Sequence, residues 1–408
     1  MIERRSIKIN LSHIWIALLV LFSIVTYKVS IIKEIPVYRI MYIITFIFIL
    51  STNKYKSSKM NNNLKKSIIL WLIITLWGLI SLIWINKTGK EINYIMYDII
   101  WNIISICFSV YVMNPQKKDK ILLYYCIISA IIAIMGIYTG ITGYYFNDTH
   151  ISYHYNLNTL GLYKPNTIFY NINDNAVFMF TSIIVLFLYT EKKENKKIIR
   201  IIGTLLYISN IILVDSRGIE LSLIIFLLVY FFATKKINIK TKIRISLLVI
   251  ILLCIFSSQI MNLSIFKNGI NDSSRISIIN MSLESLKKSY YLGVGPGNIS
   301  HVNAIYNKAE TYDTHNFFLE IFCDYGIVGA VAISLWYISN LKTAYIFIKK
   351  EKEAVIVFAA LISMLCAFIV SSSLIGKAWF ACFFGIIVAI LNQIENKYDK
   401  LECKDDEE

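Results

Sequence analysis

The stretch HNFFLEIFCDYGIVGAVAISLWYISN runs from His315 to Asn340. A histidine and an asparagine lead directly into a mostly apolar run, which predicts a helix over 317–340. A run of this length can cross the hydrocarbon core of a bilayer. Gly326 and Gly329 lie three residues apart, on one face of that helix. An imidazole at the mouth of a membrane helix indicates proton chemistry at a membrane surface rather than transport through the membrane.

Similar apolar runs recur along the whole chain, in which 57% of the 408 residues are hydrophobic. Backbone groups in lipid must form hydrogen bonds within their own segment, so these runs are predicted to be helices, and their unbroken apolar character excludes barrel strands. The sequence predicts an all-α, polytopic integral membrane protein with about twelve transmembrane helices. The predicted spans are 11–28, 37–51, 68–86, 93–113, 120–141, 175–190, 198–214, 218–233, 245–263, 317–340, 354–372 and 376–392.

Basic residues follow the predicted topology. The net charge is +15, and about 28 of the 41 Lys and Arg fall in alternate loops and the two tails, as the positive-inside rule requires. This placement argues against a nucleic-acid partner and predicts that both termini are cytoplasmic. The N-terminal apolar run lacks a small-residue cleavage site, so we expect an uncleaved first helix. No CxxC pair occurs among the seven cysteines, so neither a metal site nor a disulfide framework is expected.

Three regions are predicted: 1–174, with the N-terminal helices and a first outer loop; 175–345, the catalytic region; and 346–408, with the C-terminal helices and a cytoplasmic tail. The catalytic region holds a large, partly helical extracytoplasmic loop, about 264–316, between helices 9 and 10. From Ser274 to Tyr290 the apolar residues are spaced as on one helix face, which predicts a helix lying along the membrane interface. GVGPGN, from Gly293 to Asn298, ends it. Its glycines either let backbone approach a ligand or form an ordinary turn.

Two arginines in the outer loops are candidates for binding an anion. Arg217 lies in DSRG, a tight turn between two predicted helices, and Arg275 lies at the predicted start of the interfacial helix. A guanidinium grips phosphate oxygens in a bidentate way, and helix starts also favour anions. Together they could stabilise a departing diphosphate. The alternative is that Asp215 or Glu220 neutralises Arg217.

His315 is the best candidate for a catalytic base. It lies on a helix mouth beside Asn316, with Glu320 about one turn further on. An imidazole there can take a proton from a sugar hydroxyl near neutral pH. The alternative is a histidine that only caps the helix.

These residues resemble a known group. His315-Asn316, nine residues, Gly326, two residues, Gly329 is similar to the pattern of the O-antigen ligase and O-antigen polymerase superfamily, which includes teichuronic acid, capsule and exopolysaccharide polymerases. NDNA (Asn173 to Ala176), SRG (Ser216 to Gly218) and SSR (Ser273 to Arg275) precede it in matching order. The resemblance covers about residues 165–345.

The resemblance implies a GT-C-like helical fold and metal-independent, cofactor-free transfer of glycan from undecaprenyl diphosphate to a hydroxyl. It implies that Arg217 and Arg275 hold the diphosphate and that His315 activates the acceptor. The predicted substrate-binding residues are Asn175, Lys287, Lys288, Gly295, Gly297, Asn298, Asn316 and Glu320.

The sequence therefore favours a polymerase of lipid-linked oligosaccharide repeat units, acting on the extracytoplasmic face of a bacterial cytoplasmic membrane. The expected partners are the polyprenyl-diphosphate-linked donor, a glycan acceptor, the bilayer and other polysaccharide-assembly membrane proteins. A ligase that moves a finished glycan to another acceptor is the nearest alternative. A transporter or flippase for lipid-linked sugars is disfavoured, because it requires polar residues at the bilayer midplane, where the spans here are apolar.

Overall fold

The computed structural model describes residues 11–25, 30–32, 35–51, 60–85, 91–146, 157–169, 171–191, 194–234, 273–299, 301–303, 314–370 and 374–405. Most of these residues are helical. The α-helices in these ranges are α1 (Leu11–Ile24), α2 (Val37–Ser51), α3 (Asn62–Ser81), α4 (Glu91–Val112), α5 (Pro115–Thr142), α6 (Ile172–Thr190), α7 (Lys197–Val214), α8 (Arg217–Ala233), α9 (Ser273–Lys288), α10 (Phe317–Phe347), α11 (Lys352–Ala367) and α12 (Ala378–Asp405).

Short elements join some of these helices. The strands β1 (Ser30–Ile32) and β2 (Ile35–Pro36) pair antiparallel between α1 and α2. Single 3₁₀ turns, Glu194–Lys196 and Leu374–Gly376, precede α7 and α12. These short strands and turns leave the all-α fold class unchanged. The predicted all-α, polytopic membrane fold is confirmed.

Helices occupy eleven of the twelve predicted spans, and the remaining one, 245–263, lies outside the described residues. Among the described residues, seven helices are long and apolar enough to cross a bilayer: α3, α4, α5, α6, α7, α10 and the part of α12 from Ala378 to Asp399. The helix predicted in the large loop is also present, as α9, and it ends two residues before the predicted Tyr290.

Capping residues explain where several spans begin. Asn61 caps α3 by accepting a hydrogen bond from the Leu64 N–H (2.8 Å), so α3 begins six residues before the predicted residue 68. The predicted span did not include Lys65 and Lys66, yet helical hydrogen bonding continues beyond the apolar stretch to include them. Asn114 caps α5 in the same way, with Pro115 in its first turn.

The bundle has a buried centre and a lipid-facing rim. The apolar stretches of α6 and α12 are each 89% buried inside the protein, whereas the apolar stretch of α7 is 28% buried. α6 and α12 therefore form the centre of the bundle, and the outer face of α7 is available to lipid. Aromatic rings fill the space beside them, with the Trp336 and Phe384 centroids 4.7 Å apart.

The helices alternate in direction, so the bundle has two distinct ends. α4, α6, α8, α10 and α12 begin at one end, here called the site end, and α3, α5, α7 and α11 begin at the opposite end. Contacts across the bundle agree with this assignment. At the site end Ser216 donates to Asn173 (3.2 Å), and at the opposite end Lys118 bonds to Glu353 (2.9 Å).

Candidate functional site

Arg217 is the first residue of α8, and its helix start lacks a side-chain cap. Ser216, in the N-cap position, makes no capping hydrogen bond, since its hydroxyl donates to Asn173 Oδ1 instead. An uncapped helix start carries partial positive charge that favours an anion. Asp215 has an ion-pair partner in Lys164, at 3.3 Å. The half-buried Arg217 adds its charge to this helix start, and the carboxylate of Glu220 in the same turn interacts with it electrostatically.

His315 lies just before α10 in a left-handed backbone conformation, with φ of 47°. Asn316, not His315, is the N-cap, and its side chain accepts from the Leu319 N–H (3.1 Å). The alternative that His315 serves as the helix cap is therefore wrong. A non-glycine residue at positive φ is uncommon and needs support from its surroundings. That support comes from Phe317, which is 1% exposed and donates its N–H to the Phe368 carbonyl (2.8 Å).

The starts of α8 and α10 both pack on the chain that ends α11, at 366–370. Phe317 bonds to Phe368, as above. Gly218 sits so close to the same chain that a Cβ atom there would lie 2.0 Å from Val370 Cγ2. The structure thus places Gly218, which follows Arg217, and Phe317, which follows the His315-Asn316 pair, beside one short segment at the site end. The starts of α6 and α12 join them through the ion pair of Asp174 with Lys377.

Arg275 lies in the first turn of α9, and its side chain lies outside the described part of the structure. α9 packs against the first half of α10, where Cys323 Sγ donates to the Ser282 carbonyl (3.6 Å). Lys287 and Lys288 are exposed in the last turn of α9, and Lys288 pairs with Glu284 at 3.2 Å. Convergence of Arg275 with the other two residues stays a prediction.

The GVGPGN segment is bound to a break in α10. Gly326 has φ of 64° and ψ of −157°, which interrupts the helix and frees backbone groups around it. The Val294 N–H donates to the Cys323 carbonyl (2.9 Å), and the Gly295 N–H donates to the Asp324 carbonyl (3.0 Å). A Cβ atom on Gly326 would lie 2.4 Å from backbone atoms of the chain before the segment. Glycine is needed at Gly326 both for its φ and for this close approach.

Asp324 fixes the second half of the same segment. Its carboxylate accepts from the Gly297 N–H (2.8 Å) and from the Ile299 N–H (3.2 Å). The side chain of Asn298 is buried and donates to the Val294 carbonyl (3.1 Å). The N–H groups of Gly295 and Gly297 are therefore already bonded within the protein, and phosphate contact at these glycines stays a prediction.

Asn175 is fully buried and joins α6 to its neighbours. Its amide donates to Asn210 Oδ1 (2.9 Å) and to the Pro165 carbonyl (3.0 Å), and its oxygen accepts from Thr167 (3.2 Å). These bonds hold the first outer loop on the bundle. A role for Asn175 in binding substrate stays a prediction.

Comparison with known proteins gives a match in the region that holds most of these residues. Residues 202–334 match the family model described as O-antigen ligase. The chain resembles the O-antigen ligase and polymerase superfamily. The match contains Arg217, Arg275, the GVGPGN segment and His315, and it begins after Asn175. The family implies a glycan-transferring enzyme that takes lipid-linked glycans in a membrane. None of the curated proteins compared with the chain matches it.

The candidate site residues chosen from the sequence left out Asp98 and Tyr325. The Tyr325 hydroxyl donates to Asp98 Oδ2 at 2.5 Å, across 227 positions of sequence, and both side chains are buried near Glu320. Asp98 gave a sequence signal, because a carboxylate inside an apolar run needs a reason. Tyr325 gave none, since tyrosine is common in this chain.

Proposed function

We propose that the chain polymerises polyprenyl-diphosphate-linked oligosaccharide repeat units, without a metal, at the site end of the bundle. The observation that carries the proposal is that the uncapped α8 start with Arg217 and the α10 start with His315 both pack on 366–370. The positive charge at the α8 start can stabilise an anionic leaving group, and the His315 imidazole can accept a proton.

In this reaction the acceptor hydroxyl oxygen forms a bond to the anomeric carbon of the donor sugar, and the bond from that carbon to the diphosphate oxygen breaks. The hydroxyl proton passes to the His315 imidazole, and the diphosphate leaves with the electron pair. Arg217 and the α8 start stabilise the negative charge that grows on the leaving group. Arg275 and Lys287 are on the helix that packs beside α10, so they are the further cations expected near the donor.

The site end is proposed to face away from the cytoplasm. Basic residues concentrate at the opposite end, where Lys117, Lys118, Arg200 and Lys352 lie at or near helix starts. Loops rich in lysine and arginine remain on the cytoplasmic side. Nucleotide sugars are absent outside the membrane, which is why the donor must be carried by a lipid.

The test uses the purified full chain in lipid nanodiscs with lipid-linked repeat units. Wild type is expected to extend them in the presence of EDTA, and His315→Ala is expected to lose about 10²–10⁴-fold in rate. His301→Ala is the matched control, since His301 follows the GVGPGN segment and lies at the start of neither α8 nor α10. Equal chain growth in wild type and His315→Ala would remove His315 from the mechanism.

The match to a family of O-antigen ligases favours ligase activity as the second candidate. Lipid-linked intermediates in a deletion strain distinguish the two. Accumulation of single repeat units identifies a polymerase, and accumulation of full-length polymer still on its lipid carrier identifies a ligase.

A further inference from the structure

Arg39, in the first turn of α2, is a half-buried arginine whose neighbours are neutral. Its Cζ atom lies 4.9 Å from the centre of the Tyr97 ring and 6.0 Å from the centre of the Tyr38 ring. Among the described residues these two tyrosines, and no carboxylate, act on its charge, and its buried Nε has no hydrogen-bond partner. A guanidinium stays charged at any relevant pH, and a charge at a membrane without an opposite charge needs a reason. Arg39 is therefore a candidate for binding an anion.

Arg39 lies at the site end, where the bundle meets the boundary of the bilayer. α2 packs against α4, and Tyr97, the ring beside Arg39, lies in the second turn of α4, which begins at the site end. Tyrosine is enriched where a bilayer meets water. Beyond Arg39 the surface of α2 is apolar, with four isoleucines that are 38% to 58% exposed: Ile40, Ile43, Ile44 and Ile47. A cation above an apolar, lipid-facing helix fits a lipid that has an anionic headgroup.

Arg39 and Arg217 lie on different sides of α10. Among the described helices, α8 packs mainly on α11 and α6, whereas α2 packs on α4 and α1. The first half of α10 connects the two sides. It packs on 366–370 beside the start of α8, and its Tyr325 hydroxyl donates to Asp98 of α4. One diphosphate therefore cannot contact both guanidinium groups.

The separation between Arg39 and the proposed base suits an oligosaccharide. Packed helices have axes about 8–10 Å apart, so Arg39 on α2 is about two such spacings, roughly 20 Å, from the axis of α10. A repeat unit of a few sugar rings has a similar length. When two lipid-linked units are joined, the acceptor also carries a diphosphate, one repeat unit away from its attacking hydroxyl. An acceptor whose hydroxyl is at His315 can therefore place its diphosphate at the distance of Arg39.

Resting on the proposed polymerisation, we propose that Arg39 binds the diphosphate of the lipid carrier that bears the acceptor repeat unit. The guanidinium donates hydrogen bonds to phosphate oxygens, and the Tyr97 ring holds it in place. The polyprenyl chain extends along the lipid-facing isoleucines of α2. Arg217 remains with the donor, so each of the two carriers has its own cation.

Counting bound carriers tests the site independently of catalysis. The full chain in phosphatidylcholine nanodiscs is titrated with undecaprenyl diphosphate, and native mass spectrometry counts the bound molecules. Wild type is expected to bind two and Arg39→Gln one, while Arg39→Lys, which keeps the charge, is expected to bind the second about tenfold more weakly. Lys342→Gln, which removes an exposed cation near the opposite end of α10, is the matched control and is expected to bind two.

The diphosphate that stays on Arg39→Gln also shows that this variant is folded. A single diphosphate on wild type, or two on Arg39→Gln, disproves the site. Loss of both from Arg39→Gln would mean that Arg39 acts on the whole fold, and it would equally overturn a separate site.

Phospholipids are the other source of a lipid phosphate. The titration is therefore repeated in nanodiscs that also contain phosphatidylglycerol, and both diphosphates are expected to stay bound. Displacement of the Arg39-dependent molecule alone would mean that Arg39 binds any anionic headgroup, and it would overturn the acceptor role.

Kinetics with two acceptors separate failure of this site from failure of the proposed function. The donor is a lipid-linked repeat unit whose non-reducing sugar is fully methylated, so that it can only donate. The acceptor is the same repeat unit without methylation, either as a methyl glycoside or joined to its lipid diphosphate by a carbon–phosphorus bond, so that it can only accept. Arg39→Gln is expected to raise the KM of the lipid-linked acceptor about tenfold with little change in kcat, and to leave the KM of the methyl glycoside unchanged.

The possible outcomes differ for the two proposals. Equal effects of Arg39→Gln on both acceptors, or an effect on neither, overturn the acceptor site while glycan transfer stands. An Arg39-dependent second diphosphate on a chain that transfers glycan to neither acceptor overturns the proposed function alone.

Discussion

At the opposite end of the bundle, Lys118 lies 2.9 Å from Glu353, and their side chains are 7% and 5% exposed. Gln393 accepts a further hydrogen bond from Lys118, at 3.1 Å. At the site end, the equally enclosed Asp98 accepts from a neutral tyrosine hydroxyl, and Asp324 accepts from backbone N–H groups. Buried charge is thus matched by opposite charge at the opposite end. At the site end one buried carboxylate, Asp174, pairs with Lys377, whereas Asp98 and Asp324 have neutral hydrogen-bond donors.

This difference separates structural charges from candidate functional ones. A buried ion pair in which each charge satisfies the other holds α5 to α11 and is costly to break. A buried carboxylate with neutral partners carries a desolvation cost that its hydrogen bonds offset only in part. Within a membrane protein such a group indicates a site, since an apolar residue would be more stable there.

The largest effect on stability is expected when the ion pair of Lys118 with Glu353 is broken. Lys118→Met leaves Glu353 as a buried charge without its partner, and the free energy of unfolding is expected to fall by about 3–5 kcal/mol. Unfolding by titration with SDS measures it. The double variant Lys118→Met/Glu353→Leu is expected to recover most of the loss, because no unpaired charge remains.

Asp98→Asn is the counterpart at the site end. It is expected to leave the free energy of unfolding unchanged or slightly higher, because the amide keeps an acceptor for Tyr325 and removes a charge that is costly to bury. A loss as large as that of Lys118→Met would mean that both ends are structural, and the comparison would fail.

The next effect concerns two arginines at the two ends. Arg217→Ala is expected to lower the rate of glycan transfer by about 10²–10³-fold, as removal of one preorganised donor to a transition-state charge does. Arg200→Ala is the matched control, because Arg200 is paired with Glu191 at 3.1 Å. Its transfer rate per folded molecule is expected to equal that of wild type, and similar losses in both variants would argue against a special role for Arg217.

The sequence was sufficient for features that depend on neighbouring residues. Apolar runs predicted the spans, and the helix in the large loop followed from the spacing of its apolar residues, because both patterns are local. The family resemblance rested on short motifs, such as His315-Asn316 with Gly326 and Gly329, and the family match includes them.

Other features depend on parts of the chain that only folding brings together. The spacing of Gly326 and Gly329 predicted one face of a continuous helix. Instead α10 is broken at Gly326, where the backbone of Tyr291 and Leu292 occupies the position that a Cβ atom would take. The bond between Asp98 and Tyr325 joins residues far apart in sequence, so no local pattern contains it. The roles of Gly295, Gly297 and Asn175 were predicted from residue type, which does not reveal whether their polar groups are already bonded.

The smallest expected effect is at the lysines of α9, where charge is exposed rather than buried. Lys287→Ala is expected to raise the KM for the lipid-linked donor by a few fold at low salt, because an exposed cation attracts the diphosphate only across solvent. The difference is expected to vanish at about 1 M salt, where the Debye length is about 3 Å. Lys65→Ala, an exposed lysine at the start of α3, is the control at the opposite end. A change in donor KM that persists at high salt would place Lys287 in direct contact with the donor, and equal effects of both variants would reduce its role to general surface charge.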